Sequence, residues 1–397
     1  MAEFPRWGSQ DSPSGALTPR TMTGDAVFAL NAETGRPLWS YPAKGVASIT
    51  LSVAKDTVFF GQCEPTEAQR AAAMQETQSL VQKGVYEQDA EAQLEPAQRD
   101  VRLVVALDLA TGKVRWTRPL DLTGCGGTKM GSAYADGLLL FFGHFSNHDQ
   151  RYFLRNKLTW RRITAVDAQN GQVVWSRPLN YLRRPVIVGD RIIIEPRACE
   201  LRTGKIVHRL HPVTGQSVPW EFLRPGHSCG ITSACANALF YRSYCIALYE
   251  MDRDQGISLF GGIRSGCWLD VITAGGLVLM PERSSGCTCS YPLRCSVALV
   301  HKPAKPMSNW SVFVSRGAMT PVKHLALNLG ARGDARDRDG ILWLGYPRIR
   351  KTHSVYDAYP HYGIQLDIHE KLAPGGGFFS TDFRAAGAGK SWLSASG

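Results

Sequence analysis

The 397-residue chain has no stretch of 18 apolar residues, so no segment of it reads as a membrane-spanning helix. It has no run of five or six like charges, and only 20% of its residues are charged. The formal net charge of +11 therefore reads as a solvated basic surface, and a nucleic-acid partner is not implied. No Gly-x-x-x-x-Gly-Lys-Ser/Thr loop, His-Glu-x-x-His or Cys-x-x-Cys-His occurs. This removes the usual signatures of phosphate cradles, zinc proteases and covalently attached c-type haem. The opening "MAEFPRWGSQDSPSG" lacks the apolar run of a signal peptide. The expectation is either a cytosolic chain or a piece whose ends were cut from a longer secreted protein.

What the chain does have is turns. It carries 39 Gly and 22 Pro, with 44% hydrophobic residues, enough to bury a large core. One eleven-residue phrase returns: "ALNAETGRPLW" (Ala29 to Trp39), "ALDLATGKVRW" (Ala106 to Trp116) and "AVDAQNGQVVW" (Ala165 to Trp175). Each is a strand ending in an Asn or Asp (Asn31, Asp108, Asp167), whose side chain can bond the backbone two residues on and start a turn. Gly35, Gly112 and Gly171 then permit positive φ at the tight point. A second strand follows and carries Trp39, Trp116 or Trp175 as an anchor for a neighbouring sheet. A fourth copy, "ACELRTGKIVH", has His208 in the Trp place, and a weaker fifth, "VTGQSVPW", has one extra residue before Trp220. These Trp are expected to be mostly buried, each wedged against the next unit.

Copies two, three and four start 59 and 33 residues apart, but the first interval is 77. Residues 64–99, rich in Ala, Glu and Gln, account for the excess as a helical insertion that projects from one unit and is dispensable for folding. A second series interleaves with the first: "LSVAKDTVFFG", "GSAYADGLLLFFG", "RPVIVGDRIIIEP", "TSACANALFYRS" and "VITAGGLVLMPE". Each is a short strand, a Gly, Asn or Asp turn and an apolar strand. Four strands per unit of about 40 residues is the pattern of a propeller blade. Five such units fall at 45–119, 130–178, 184–222, 230–262 and 270–300, with the hairpin at 23–41 as half a blade. The missing half suggests an N-terminus shortened relative to a complete propeller.

The phrase Ala-x-Asp-x-x-Thr-Gly-x-x-x-Trp resembles the repeat of quinoprotein-type (PQQ-like) β-propellers, a group that includes pyrroloquinoline quinone alcohol dehydrogenases and the assembly lipoprotein BamB. The resemblance covers about residues 23–300. It implies an all-β propeller of PQQ-like repeats, in which the Trp has a structural role of packing on the adjacent blade, and an extracytoplasmic location, periplasmic or at the cell surface. Dehydrogenases of the group hold the quinone beneath two adjacent, disulfide-bonded cysteines, with Ca²⁺ and an Asp base. This chain has no adjacent Cys pair; the nearest is Cys287-Thr-Cys289. No catalytic residue is carried over. After "VHKPAKPM", the segment "VKHLALNLGARGDARDRDGILWLGYPRI" resembles the start of a malectin-like carbohydrate-binding jelly roll, and "SWLSASG" one of its internal strands. The expected organisation is residues 1–22 as a disordered or truncated lead, 23–303 as the propeller, and 304–397 as a C-terminal β extension or incomplete jelly roll.

Seven of the ten cysteines fall between Cys229 and Cys295. His227, Cys229, Cys267, Cys287 and Cys289 sit in Gly/Ser-rich loops beside blade strands, where loops at the same stage of successive blades converge on one face. Zinc could be ligated there by thiolates and imidazole. The spacing is not the paired C-x-x-C signature; disulfides between loops are the favoured reading, with Cys267 to Cys287 or Cys289 the expected pair, ahead of free buried thiols and of a metal. His227 and Cys229 would share one side of a strand, but a structural histidine is the better reading than a catalytic base. Asp337-Arg-Asp339-Gly340 reads as a solvated turn and not a calcium loop. "RYFLRNKLTWRR" (Arg151 to Arg162) reads as an exposed hairpin whose arginines snorkel over a neighbour. Two functions follow. One is a non-catalytic scaffold binding protein or glycan through its loop faces; the other is a quinone-dependent oxidoreductase holding PQQ with Ca²⁺.

Overall fold

The computed structural model describes residues 23–88, 99–145, 150–222, 224, 229–243, 245–260, 265–266, 271–282, 296–300, 310–315, 319–331, 333–346 and 364. They form an all-β, multi-sheet architecture with a small helical segment. The chain divides into two compact units, residues 1–194 with 199–205 and residues 195–198 with 206–397.

In the first unit, β1 (Thr23–Leu30) and β2 (Pro37–Ala47) make an antiparallel hairpin. Next come β3 (Ser52–Ala54), β4 (Thr57–Gln62), β5 (Val101–Asp108) and β6 (Val114–Asp121), antiparallel in that order, with Val46 of β2 opposite Gln62. A second four-stranded sheet contains β7 (Met130–Ala135), β8 (Leu138–Gly143), β9 (Arg162–Asp167) and β10 (Val173–Pro178). β4 (TVFFGQ) and β8 (LLLFFG), each paired along both edges, are buried along their whole length. Their side chains, with those of β5 and β9, make the core: Phe59, Val104, Ala106, Leu139, Phe141 and Val166 pack in one cluster.

The insertion is helical over α1 (Glu67–Gln82), started by a capping box in which the Thr66 hydroxyl accepts from the Gln69 amide and the Gln69 side chain accepts from the Thr66 amide. It enters after β4 and leaves before β5, two paired strands of one sheet. It does not simply project. Glu76 pairs with Arg118 of β6, and Val85 to Glu87 run alongside the outer edge of β10. There the Ser176 amide donates to the Val85 carbonyl and the Glu87 amide to the Ser176 carbonyl, both at 2.9 Å. Tyr86 is buried between them under the Arg162 guanidinium, 4.1 Å from its ring centre. The insertion thus caps an otherwise open sheet edge.

The five repeat turns are built alike. The amide of Asn31, Asp108, Asp167, Glu200 or His211 donates to the carbonyl five residues on, and the glycine amide four residues on donates back to that residue's carbonyl. The fifth copy, weak in sequence, is therefore a full turn.

The segment 184–222 departs from the expected single blade. It holds β11 (Val186–Val188) paired with β12 (Arg191–Ile194), then β13 (Arg197–Glu200), within which the division between units falls. β14 (His208–Leu210) and β15 (Ser217–Pro219) form a separate two-stranded sheet. Between the fourth and fifth turns, the Val207 amide donates to the Ala198 carbonyl at 2.9 Å and the Val207 carbonyl accepts from the Trp220 amide at 2.8 Å.

In the second unit, β16 (Ser233–Cys235), β17 (Ala238–Ser243), β18 (Cys245–Glu250) and β19 (Ile257–Phe260) form one antiparallel sheet, and β20 (Ile272–Ala274), β21 (Leu277–Met280) and β22 (Val297–Val300) another. Beyond these, β23 (Ala326–Leu329) pairs parallel, and β24 (Ala335–Arg336) antiparallel, with β25 (Leu342–Tyr346). Phe313, Leu342 and Leu344 pack there with Val213 of the fifth turn. Asp337 closes a turn, accepting from the amides of Asp339 and Ile341 and from the Trp343 indole. The "SWLSASG" segment lies outside the described residues.

Candidate functional site

The repeat turns meet one another through their tryptophans. Trp39 Nε1 donates to the Leu109 carbonyl at 2.8 Å, Trp116 Nε1 to Ala168 and Trp175 Nε1 to Leu201, both at 3.0 Å. In every case the acceptor directly follows the polar residue that starts the next copy's turn. Each indole also covers that copy's glycine. A Cβ built on Gly112 would lie 2.7 Å from Trp39, on Gly171 2.7 Å from Trp116, and on Gly204 2.6 Å from Trp175. Glycine is needed twice over, for a φ of +66° to +72° and for the closeness of the indole. Trp175 is 3% exposed, whereas Trp39 and Trp116 are only partly buried.

The partly open edge of Trp116 borders a cavity of about 390 Å³, lined also by Lys55, Asp56, Phe59, Arg115 and Tyr134. Phe59 and Tyr134 stack at 6.2 Å. At the mouth, Arg115 donates to Asp56 at 2.8 Å, Asp108 at 2.7 Å and Thr57 at 2.9 Å. Hydrogen bonds from Arg115, then from Thr111, hold the Asp108 carboxyl down at about 2. Both carboxylates are anions locked on one guanidinium, unsuited to proton transfer near neutral pH.

Several buried polar groups are likewise engaged. Arg102 bridges Asp100 and Cys63, all within the interior. Burial pushes the Cys63 thiol up, and the Cys125 and Cys199 thiols up to about 12, so none is a ready thiolate. Burial, then the charge of Arg184, lowers His144 to about 4. In the second unit Arg224 donates to Glu195 and, at 2.8 Å, to Thr232.

A sequence profile described as outer membrane protein assembly factor BamB matches residues 16–179 and 82–218, together just over half of the chain. The chain belongs to this family, as a distant member. Among solved structures, BamB from Moraxella catarrhalis is 14% identical, over 65% of this chain and 69% of that one, with a TM-score of 0.34. A quinohemoprotein alcohol dehydrogenase from Pseudomonas putida is 14% identical over 72% of this chain and 43% of its own, with a TM-score of 0.24. The dihydro-heme d1 dehydrogenase NirN is 11% identical over 70% and 54%, with a TM-score of 0.31. No curated protein matches the chain.

Of the cysteine and histidine candidates in this BamB-family chain, His227, Cys267, Cys287 and Cys289 lie outside the described residues. Cys229 is buried. Among the described residues no disulfide is present and no group of three or more His, Cys, Asp or Glu gathers as a metal site. Cys63, Cys125, Cys199, Cys235 and Cys245 are free thiols. The expected pair, Cys267 with Cys287 or Cys289, lies outside the described residues. Of the five thiols, Cys63, Cys125, Cys199 and Cys245 are buried, Cys63 accepting from Arg102 and Cys125 meeting the Thr164 hydroxyl at 3.4 Å. Gly226-His-Ser-Cys-Gly230 fits Gly-x-Ser-x-Gly by residue type, but the next element is strand β16, not the helix that a nucleophile elbow requires.

Three features escaped the reading of residues alone. His211 occupies the polar turn position of the fifth copy, and its Nδ1 accepts from the amides of Val213 and Thr214 as Asp108 Oδ1 does from Ala110 and Thr111. Alignment on Thr214-Gly215 was the available signal. Tyr86 of the BamB-family insertion is a core residue, with no local pattern to mark it. Arg161 and Arg162, expected on an exposed hairpin, are buried instead. Arg161 donates to the Tyr181 and Leu182 carbonyls at 2.7 and 3.0 Å and lies 3.7 Å over the Phe145 ring. Two main-chain acceptors and an aromatic platform make its burial tolerable.

Proposed function

We propose that this protein is a non-catalytic β-propeller scaffold of PQQ-like repeats, extracytoplasmic, that binds a protein partner through its loop faces. The observation that carries the reading is the tryptophan relay: the motif that dominates the sequence is spent on joining one repeat to the next. The family's description as an assembly factor makes a protein the fitting class of ligand, and the chain covers 69% of the Moraxella catarrhalis BamB chain. A glycan remains the second class, taken from the C-terminal resemblance.

The alternative is a PQQ- and Ca²⁺-dependent oxidoreductase. A calcium–quinone pair calls for converging carboxylates free to take a cation. The described carboxylates do not fit that demand, since Asp56 and Asp108 are held by Arg115, Asp121 by Arg99 and Glu195 by Arg224. Titration of the purified chain with PQQ and Ca²⁺, followed by gel filtration and dye-linked alcohol oxidation, tests the reading. The scaffold reading expects no quinone absorbance to travel with the protein. Retained quinone with turnover would replace it by the oxidoreductase.

A further inference from the structure

The joint between the second and third repeats differs from the one that follows it. Lys55 and Asp136 hold equivalent places: both have a φ of +45°, and each precedes the residue whose carbonyl accepts from Leu109 or Ala168. Gln169 and Arg202 are equivalent too, each directly following the carbonyl that takes a Trp indole. In the later joint Arg202 pairs with Asp136 across the gap, and Trp175 is buried. In the earlier joint the two places hold Lys55 and Gln169, which cannot form an ion pair. Tyr134 stands there in place of Ile187, and Arg115 in place of Val174. The cavity of about 390 Å³ beside Trp116 opens at this joint.

The cavity lies where β4, β6 and β8 begin. The stretches outside the described residues join the first unit at the opposite strand ends. Residues 1–22 enter β1 at Thr23, opposite Ala47, whose neighbour Val46 faces the last residue of β4. Residues 89–98 precede the start of β5, and 146–149 follow the end of β8.

We propose that this cavity binds a neutral hexopyranose ring. Trp116 and Tyr134, both packed on Phe59, offer aromatic surface to the apolar CH face of a sugar. The Lys55 ammonium, the Gln169 side-chain amide and the Tyr134 hydroxyl line the same cavity and make no hydrogen bond among the described residues. An apolar occupant would strip water from these groups and return nothing, whereas sugar hydroxyls both donate and accept. Charge narrows the class further. Asp56 and Asp108 balance Arg115 and Lys55 around the mouth, so a charged ligand of either sign would meet its own sign there. The volume falls within the range of small-molecule sites. Such a site goes beyond the scaffold reading and does not depend on a protein partner.

The intact protein is titrated with the methyl glycosides of glucose, galactose and mannose and with a trisaccharide of each, followed by saturation-transfer NMR. At least one neutral sugar is expected to saturate with a Kd of about 10 mM or tighter. A trisaccharide that binds more tightly than its methyl glycoside would identify the source as a glycan, and equal affinity a free sugar. Lys55→Asp combined with Gln169→Arg rebuilds the later joint's ion pair, and Tyr134→Ile, made separately, rebuilds its apolar wall. Each variant should weaken binding about tenfold or more, with thermal melts no lower than the parent's. Should one of the two fail to fold, the other decides. No saturation by any neutral sugar, or binding indifferent to both variants, would overturn the proposal. So would tighter binding of glucuronate or glucosamine than of glucose, for the mouth would then select a charge. Quinone retention reads a different ligand, so this proposal and the scaffold reading fail separately.

Discussion

The indole of Trp116 lies on Gly171 while its Nε1 donates to the carbonyl of Ala168, 52 residues on in the chain, and the same arrangement joins Trp39 to Gly112 and Trp175 to Gly204. Truncating these indoles should therefore loosen the joint between repeats in proportion to burial. Trp175→Ala is expected to cost about 3–5 kcal/mol. Trp39→Ala should cost less, its ring being partly exposed. Urea denaturation of the two variants gives the comparison, and equal losses would deny that burial sets the joint's strength.

The glycines offer a sharper contrast. Gly171→Ala must both adopt a φ of +72° and displace the Trp116 ring, whereas Gly35→Ala faces only its φ of +67°. The left-handed conformation alone costs about 1–2 kcal/mol. Gly35→Ala should stay within that range and Gly171→Ala should exceed it, as read from denaturation midpoints at constant m-value.

Tyr86 decides whether the helical insertion is an ornament. It is buried against β10, beneath Arg162. Tyr86→Ala is expected to destabilise by about 3 kcal/mol or more. Replacing residues 64–99 by a short turn should also destabilise, because it uncovers the β10 edge. A deletion variant as stable as the parent would return the insertion to a dispensable excursion.

Two groups set opposite-looking but equivalent acid sensitivities. His144 is lowered from 6.5 to about 4, so the unfolded chain takes its proton first. Its contribution is complete above pH 6.5 and is lost as pH falls toward 4. His144→Gln should flatten the fall in stability between pH 7 and 5, measured by denaturation at each pH.

Asp108 is lowered from 3.8 to about 2. Its contribution is present above 3.8 and disappears as pH falls through 2. Asp108→Asn should remove only that lower part of the acid transition, leaving the pH 7-to-5 difference unchanged. A variant that alters the upper window instead would place the effect on another group.

The sequence by itself determined the turn. Its parts lie within five residues of one another: a side chain that can accept from the amides two and three residues on, a glycine for positive φ, and a pair of strands to leave in opposite directions. Such local geometry holds wherever the residues recur, which is why the three strong copies were legible; the helical insertion was legible from its Ala, Glu and Gln content. Only the tertiary structure decided what each turn touches. That Trp116 rests on Gly171, that Tyr86 closes the β10 edge, and that Arg161 can be buried over Phe145 depend on segments distant in the chain arriving together. No spacing records those meetings. The same holds for β1: Ala-Val-Phe-Ala-Leu reads like any core strand, yet Phe28 and Leu30 are exposed. Periodicity fixes which side chains are apolar; burial depends on which strand the fold places beside them.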